Sequence, residues 1–229
     1  MTINHIASHT DETHLSRRTF LATGAAVGGG LLLSLSLPIG RGDAATAEEF
    51  TPNAFIRIGS DGQIVLTMPY VEMGQGTYTS ISMILAEELD ADFAQVAVEH
   101  APPSDKLYGN PVFGIQVTGN SNSVRSFWKP LRNAGASARA MLVQAAAQQW
   151  QVEPATCTTA NGKVLHAAGG RRLSYGDLVD AANALTPPKN VSLKDPKDFV
   201  LIGEPLKRLD TPDKTNGRVV YGIDACFPT

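Results

Sequence analysis

The sequence predicts an α+β fold in which sheet and helix are mixed along the chain, and three observations predict it. Short β-rich runs flank two strong turn signals, Ser60-Asp61-Gly62 and Asn161-Gly162. Two stretches, one ending near Leu89 and one near Trp150, repeat apolar residues at helical spacing. A third helix is announced by its cap, Ser174, ahead of Tyr175–Leu185.

The first 47 residues are set apart from that fold. Ser16-Arg17-Arg18-Thr19-Phe20-Leu21 has the paired arginine and following hydrophobic of a twin-arginine (Tat) export leader. Met1–Ser16 is polar, Ala22–Leu37 is an apolar core, and Ala45-Thr46-Ala47 offers a small-x-small cleavage site. The core holds Gly24, Gly28, Gly29 and Gly30 and is shorter than the roughly 20 strongly apolar residues a spanning helix needs. The leader predicts a periplasmic protein that folds before export, which suits one that takes up a cofactor in the cytoplasm. Its basic and acidic residues cancel, so the net charge of −3 belongs to the mature chain, and nothing suggests nucleic acid as a partner.

The mature elements follow in order. Phe55–Ile58 and Ile64–Met68 form the first hairpin. Pro69-Tyr70-Val71-Glu72-Met73-Gly74-Gln75-Gly76 leads into a helix whose buried stripe is Ile81, Ile84, Leu85 and Leu89, with Glu87 and Glu88 expected to face solvent because charges are seldom buried unpaired. Val96–Glu99 reads as a strand, and 101–116, punctuated by Pro and Gly, as a loop. Val124, Phe127, Leu131, Ala134, Ala138, Met141, Leu142 and Ala145 mark a long helix, in which Gly135 and the alanines suggest close packing. Cys157–Ala160 and Lys163–Ala167 form the second hairpin. From Thr186 prolines punctuate an extended linker to residue 216, containing Asp198–Ile202, and Gly217–Asp224 reads as the first strand of a further domain that stops at Thr229, as in a truncated chain.

Little conventional chemistry is on offer. The two cysteines, Cys157 and Cys226, lack metal-binding spacing and are expected to be unpaired and structural. Outside the leader only His100 and His166 remain, too few for a His-rich site. Two loops stand out instead: Met73-Gly74-Gln75-Gly76-Thr77-Tyr78-Thr79-Ser80 and Thr118-Gly119-Asn120-Ser121-Asn122-Ser123. Each runs Gly and small polar groups into a helix N-terminus, where unpaired N–H groups and the macrodipole attract phosphate. Simple helix capping explains the same residues without a ligand. Neither loop is a Walker A, and Thr79 stands where the dinucleotide fingerprint needs its third glycine.

Glu72-Met73-Gly74-Gln75-Gly76 resembles the "EMGQG" segment of the xanthine dehydrogenase/aldehyde oxidase superfamily, and 118–123 resembles its second cofactor loop, "TGGS-x-S", with Asn120 in place of the second glycine. The order of these loops behind a Tat leader is similar to the branch of the isoquinoline 1-oxidoreductase large (beta) subunit and related periplasmic aldehyde dehydrogenases. Gly203–Lys214 with Gly217–Asp224 looks like that branch's run into an α/β-hammerhead domain. The resemblance implies part of a molybdopterin-binding domain at 48–185, a linker at 186–216 and the start of the hammerhead at 217–229. It implies a molybdopterin dinucleotide, in the cytosine form, held by Gly74, Gln75, Gly76, Thr118, Gly119, Ser121 and Ser123. It also implies a 2Fe–2S small subunit, in this branch often accompanied by a cytochrome c subunit, and hydroxylation of an aldehyde or N-heterocycle with water-derived oxygen. The family's general-base glutamate lies near the far C-terminus and has no match here. An inert truncated fragment and a periplasmic anion- or nucleotide-binding module remain open alternatives.

Overall fold

The computed structural model of the chain describes residues 30–35 and 53–225. Four strands, β1 (Gly30–Leu35), β2 (Asn53–Gly59), β3 (Ile64–Met68) and β4 (Val96–His100), form one sheet in that order. β1–β2 and β2–β3 are antiparallel, whereas β3–β4 is parallel. A parallel neighbour needs a crossover, and helix α1 (Thr77–Leu89) supplies it. The β2–β3 turn is closed by the Gly59 N–H to the Gln63 carbonyl and by Asp61 accepting from the Gln63 N–H, with Gly62 at φ 82°. The sequence sets residues 1–47 apart from the fold, but Gly30–Leu35 pairs along the outer edge of β2, whose backbone groups otherwise lack partners on that side. The rest of the leader lies outside the described residues.

After the short helix α2 (Asp105–Tyr108) comes α3 (Ser123–Trp150), whose 28 residues pack against α1 and against both sheets. Ile81, Ile84, Leu85 and Leu89 of α1 meet Phe127, Leu131, Ala138 and Leu142 of α3, all at most 2% exposed. Gly135 permits this approach: a Cβ there would lie 2.9 Å from both Glu88 Cβ and the Leu85 carbonyl oxygen. Val124, which shares the stripe's spacing, is exposed. A second sheet, β5 (Thr158–Ala160), β6 (Lys163–His166) and β7 (Arg171–Ser174), is a meander whose Asn161-Gly162 turn has both residues at positive φ, as that turn type requires. Its third strand carries too short an alternation to show in the sequence. Helix α4 (Tyr175–Asn183) starts at Ser174 with a reciprocal capping box to Asp177, and its Tyr175 hydroxyl donates to the Leu89 carbonyl at 2.5 Å.

Two expectations fail here. Gly217–Asp224 is not a strand: after helix α5 (Thr211–Thr215) the chain is unpaired, with one 3-10 turn at Gly222–Asp224 and Ile223 93% exposed. Among the described residues no neighbouring strand offers it ladder partners, and an unpaired strand has nothing to hold it extended. Glu87 and Glu88 do not face solvent either. Both are fully buried, because the segment after α4 folds back over α1 and supplies Lys194, while α3 supplies Arg132 and Arg139. Glu87 pairs with the Lys194 ammonium at 2.8 Å and accepts the N–H groups of Val200, Leu201 and Ile202 at 2.7–3.0 Å. Glu88 accepts from Arg132 Nε at 2.6 Å and from the Lys194 N–H. Asp90 completes the cluster with Arg139 and Lys194.

Candidate functional site

The two polar loops, separated widely in sequence, come together at one end of the molecule. β3 ends at Met68 and delivers the first loop, and the long loop 101–122 delivers the second. The N–H of Val71 donates to the Thr118 hydroxyl at 2.8 Å, tying the loops edge to edge. Tyr70, buried against Phe127, reaches the first turn of α3 through its hydroxyl, 2.6 Å from Ser126 Oγ. Behind the junction Asn110 and Asn122 exchange reciprocal side-chain amide hydrogen bonds, both residues buried. This locked amide pair fixes where α3 begins. A groove of about 220 Å³ runs beside the junction between Tyr70, Val71, His100, Gln116 and Thr118. At its rim the Tyr78 hydroxyl is hydrogen-bonded to His100 Nε2.

The loops differ in what they leave open. In the first, Gly74 and Gly76 take φ of 107° and 83°, the left-handed region that favours glycine. Their N–H groups donate to Glu72 Oε1 at 2.7 and 3.0 Å, and the Tyr78 N–H donates to Glu72 Oε2 at 3.1 Å. A carboxylate of this chain therefore occupies the N-terminus of α1. Gln75 is also engaged locally, accepting from the Met73 N–H and donating to the Val71 carbonyl. In the second loop Asn120 and Ser121 adopt φ of 51° and 49°, Gly119, Asn120 and Ser121 are exposed, and no side chain caps α3. A Cβ built on Gly119 would meet nothing within 4 Å. The start of this long helix thus presents its amide donors and the positive end of its dipole outward. Thr118 and Ser123 are half-buried at either side of it.

Sequence reasoning missed the residues that hold the first loop in place. Arg208, from the segment after Gly203, donates through Nη2 to Glu72 Oε1 at 2.8 Å and through Nη1 to the Gly74 carbonyl at 2.9 Å. It also forms a fork with Asp210, at 3.0 and 2.9 Å, while the Leu209 N–H donates to Thr79 Oγ1. The local signal is two basic residues beside an acidic one in Lys207-Arg208-Leu209-Asp210, which does not name a target more than a hundred residues away. Burial alone pushes the Glu72 carboxyl up, but the Gly76, Tyr78 and Gly74 amides and the Arg208 charge outweigh it and hold it below its usual value. Burial likewise opposes ionisation of Asp210, and the Arg208 and Lys214 hydrogen bonds hold it at about 2 against an ordinary 3.8. Both groups are depressed: the contribution of Asp210 is complete above its unfolded value and drains as pH falls from 3.8 towards about 2, and that of Glu72 likewise declines as pH falls below its ordinary 4.5. Hydrogen exchange along residues 203–214, corrected for intrinsic rates, should show protection lost over that window. Protection unchanged down to pH 2 would show that the ion pairs do not hold this segment.

Among the described residues no group of three or more His, Cys, Asp or Glu side chains is placed to hold a metal ion, and no helix is long and apolar enough to cross a membrane. Cys157 is unpaired; Cys226 lies outside the described residues. The donors at the junction are backbone amides, hydroxyls and glycine-bared backbone, a set suited to the phosphate and hydroxyl groups of an organic anion.

Comparison with known proteins agrees with that chemistry. Residues 14–226 match the family model described as the molybdopterin cofactor-binding domain. The chain is 34% identical to the beta subunit of isoquinoline 1-oxidoreductase from Brevundimonas diminuta, over 97% of this chain and 33% of the relative. It is 35% identical to the membrane-bound aldehyde dehydrogenase [pyrroloquinoline-quinone] of Gluconacetobacter polyoxogenes, over 94% of this chain and 28% of the relative. It is 30% identical to a nicotinate dehydrogenase subunit from Pseudomonas putida, over 83% of this chain and 16% of the relative. The chain thus spans a third or less of the length of these relatives. With the family model matching nearly the whole chain, this protein belongs to the molybdopterin cofactor-binding domain family.

Proposed function

We propose that this chain forms one wall of the cofactor site in the large subunit of a molybdenum hydroxylase that oxidises aldehydes or N-heterocycles. The observation that carries the proposal is the Val71–Thr118 hydrogen bond, which places both motif loops on a single rim within a chain matched to the family. The names of the relatives, an isoquinoline oxidoreductase, an aldehyde dehydrogenase and a nicotinate dehydrogenase, support the substrate classes. Two of those names denote subunits, which supports partner subunits; a 2Fe–2S small subunit and a cytochrome c are the partners the resemblance implies. The twin arginines support export to the periplasm by the Tat route.

The residues fit the group unevenly. The amides opening α3, with Thr118, Gly119, Ser121 and Ser123 around them, suit the diphosphate of a molybdopterin dinucleotide, the cytosine form being the one we favour. Gly74, Gln75 and Gly76 shape the facing wall, with the glycines allowing close approach of ring edges to backbone. When bound, the cofactor supplies a two-electron oxidation with oxygen taken from water. This chain's residues bind and orient it, and the catalytic base is assigned to none of them.

The test uses the full-length protein produced with its partner subunits. It should contain close to stoichiometric molybdenum and release cytidine nucleotide on acid treatment. Gly119→Asp places a carboxylate in open space at the start of α3, where it would compete with and repel the diphosphate, so the variant should fold normally yet hold about tenfold less of both, a difference of about 1.4 kcal/mol. Wild-type protein that folds with neither molybdenum nor nucleotide would overturn the proposal in favour of an inert product. Phosphate or nucleotide binding without molybdenum would favour an anion-binding module.

A further inference from the structure

The first loop carries a feature that helix capping alone does not need: its anion is built in and is locked from a distant part of the chain. The Glu72 side chain is 2% exposed, although it lies on a surface loop, and its two oxygens take three backbone amides and one guanidinium. Arg208 closes the arrangement from the far side. It binds the Glu72 carboxylate and the Gly74 carbonyl together, so it fixes both the side chain and the turn of the peptide that follows it. Asp210 holds the Arg208 fork from behind, and the Leu209 N–H to Thr79 Oγ1 pins the same segment to the first turn of α1. Val71, immediately before Glu72, is the residue that joins the second loop.

From this we infer that Glu72 and Arg208 form a latch that sets the first loop of the cofactor rim, acting as positioning residues, and that anionic groups are steered away from α1 towards the open start of α3. The inference rests on the cofactor-binding reading above. Its physical basis is occupancy: with Glu72 seated, the Gly74, Gly76 and Tyr78 amides at the α1 terminus are taken by a carboxylate that would repel a phosphate, whereas no side chain caps α3. The two glycines at positive φ are then required by the path the backbone takes round the carboxylate. Arg suits this place because its planar fork serves two acceptors at once, which an ammonium does in poorer geometry.

The experiment compares wild-type, Arg208→Ala, Arg208→Lys and Glu72→Gln full-length holoenzymes. Two quantities are read: hydrogen exchange at the Gly74, Gly76 and Tyr78 amides, and retention of molybdenum and nucleotide through dialysis. Arg208→Ala and Glu72→Gln should speed exchange at those three amides and raise cofactor loss about tenfold, the usual effect of removing a group that orients a binding shell. Arg208→Lys should restore folding and part of the retention, which keeps the test open if the alanine variant is poorly produced. Unchanged amide exchange and unchanged retention in Arg208→Ala would overturn the latch and leave the cofactor reading standing. Fast exchange without loss of cofactor would reduce the pair to a structural brace and also overturn its positioning role. Wild-type protein devoid of molybdenum, with the amides still released by Arg208→Ala, would overturn the cofactor reading instead and with it the steering of cofactor anions.

Discussion

Replacing Glu87 with alanine is expected to cost about 3–5 kcal/mol, the range seen when one partner of a buried ion pair is removed. The side chain is fully buried, and its loss leaves the N–H groups of Val200, Leu201 and Ile202 without their acceptor and the Lys194 ammonium with Asp90 alone. Burial by itself would push the Glu87 carboxyl up, but Lys194 and the Ile202 and Leu201 amides hold it below the usual carboxylate value. It is therefore ionised at neutral pH, and its contribution is present above the unfolded value and declines as pH falls below it. The loss should be local first. Limited proteolysis of the full-length variant should cut within 186–202, a segment held to α1 chiefly by these contacts. Glu87→Gln, which keeps the volume and one acceptor oxygen, should fall between wild type and alanine. Resistance equal to wild type in both variants would show that the segment is held by apolar packing alone.

Gly135→Val should be nearly as damaging for a different reason. A Cβ at 135 already overlaps Glu88 Cβ and the Leu85 carbonyl, each at 2.9 Å, and valine adds two methyl groups in the same direction. The carbonyl belongs to helix backbone and cannot turn aside, so α1 and α3 must move apart. Overpacking of this kind costs about 1–3 kcal/mol or more. Separation would also strain the Glu88–Arg132 contact, so the two sites should not behave independently. A thermal or denaturant midpoint for Gly135→Ala between those of wild type and Gly135→Val would support this account. Equal midpoints for all three proteins would contradict it.

The helices and the hairpins were legible because their signals are local. The stripe from Ile81 to Leu89, the Asn161-Gly162 turn and the Ser174 cap each state their structure within a few residues. The misreadings share one cause. Glu88 lies four residues after Ile84 and seven after Ile81, on the buried stripe itself, and that spacing was a usable warning of burial. What made burial tolerable, Lys194 and Arg132, arrives from remote segments that no local pattern connects to α1. The Gly217–Asp224 run shows the converse. Its composition suits a strand, but strand formation is a property of a pair, and among the described residues the second member is missing.

The candidate site divides along the same line. The sequence by itself determined that two glycine-containing polar loops precede helices and that they match a family's cofactor motifs in order. It could do so because backbone freedom and helix-start chemistry are written in residue type. Only the tertiary structure decided that the loops touch through Val71 and Thr118, that Glu72 fills the first helix start while the second stays open, and that Arg208 locks the arrangement. Hydrogen-bond partners are chosen by distance in space, and a carboxylate beside a glycine loop reads the same in sequence whether it faces a ligand or turns back to occupy the site.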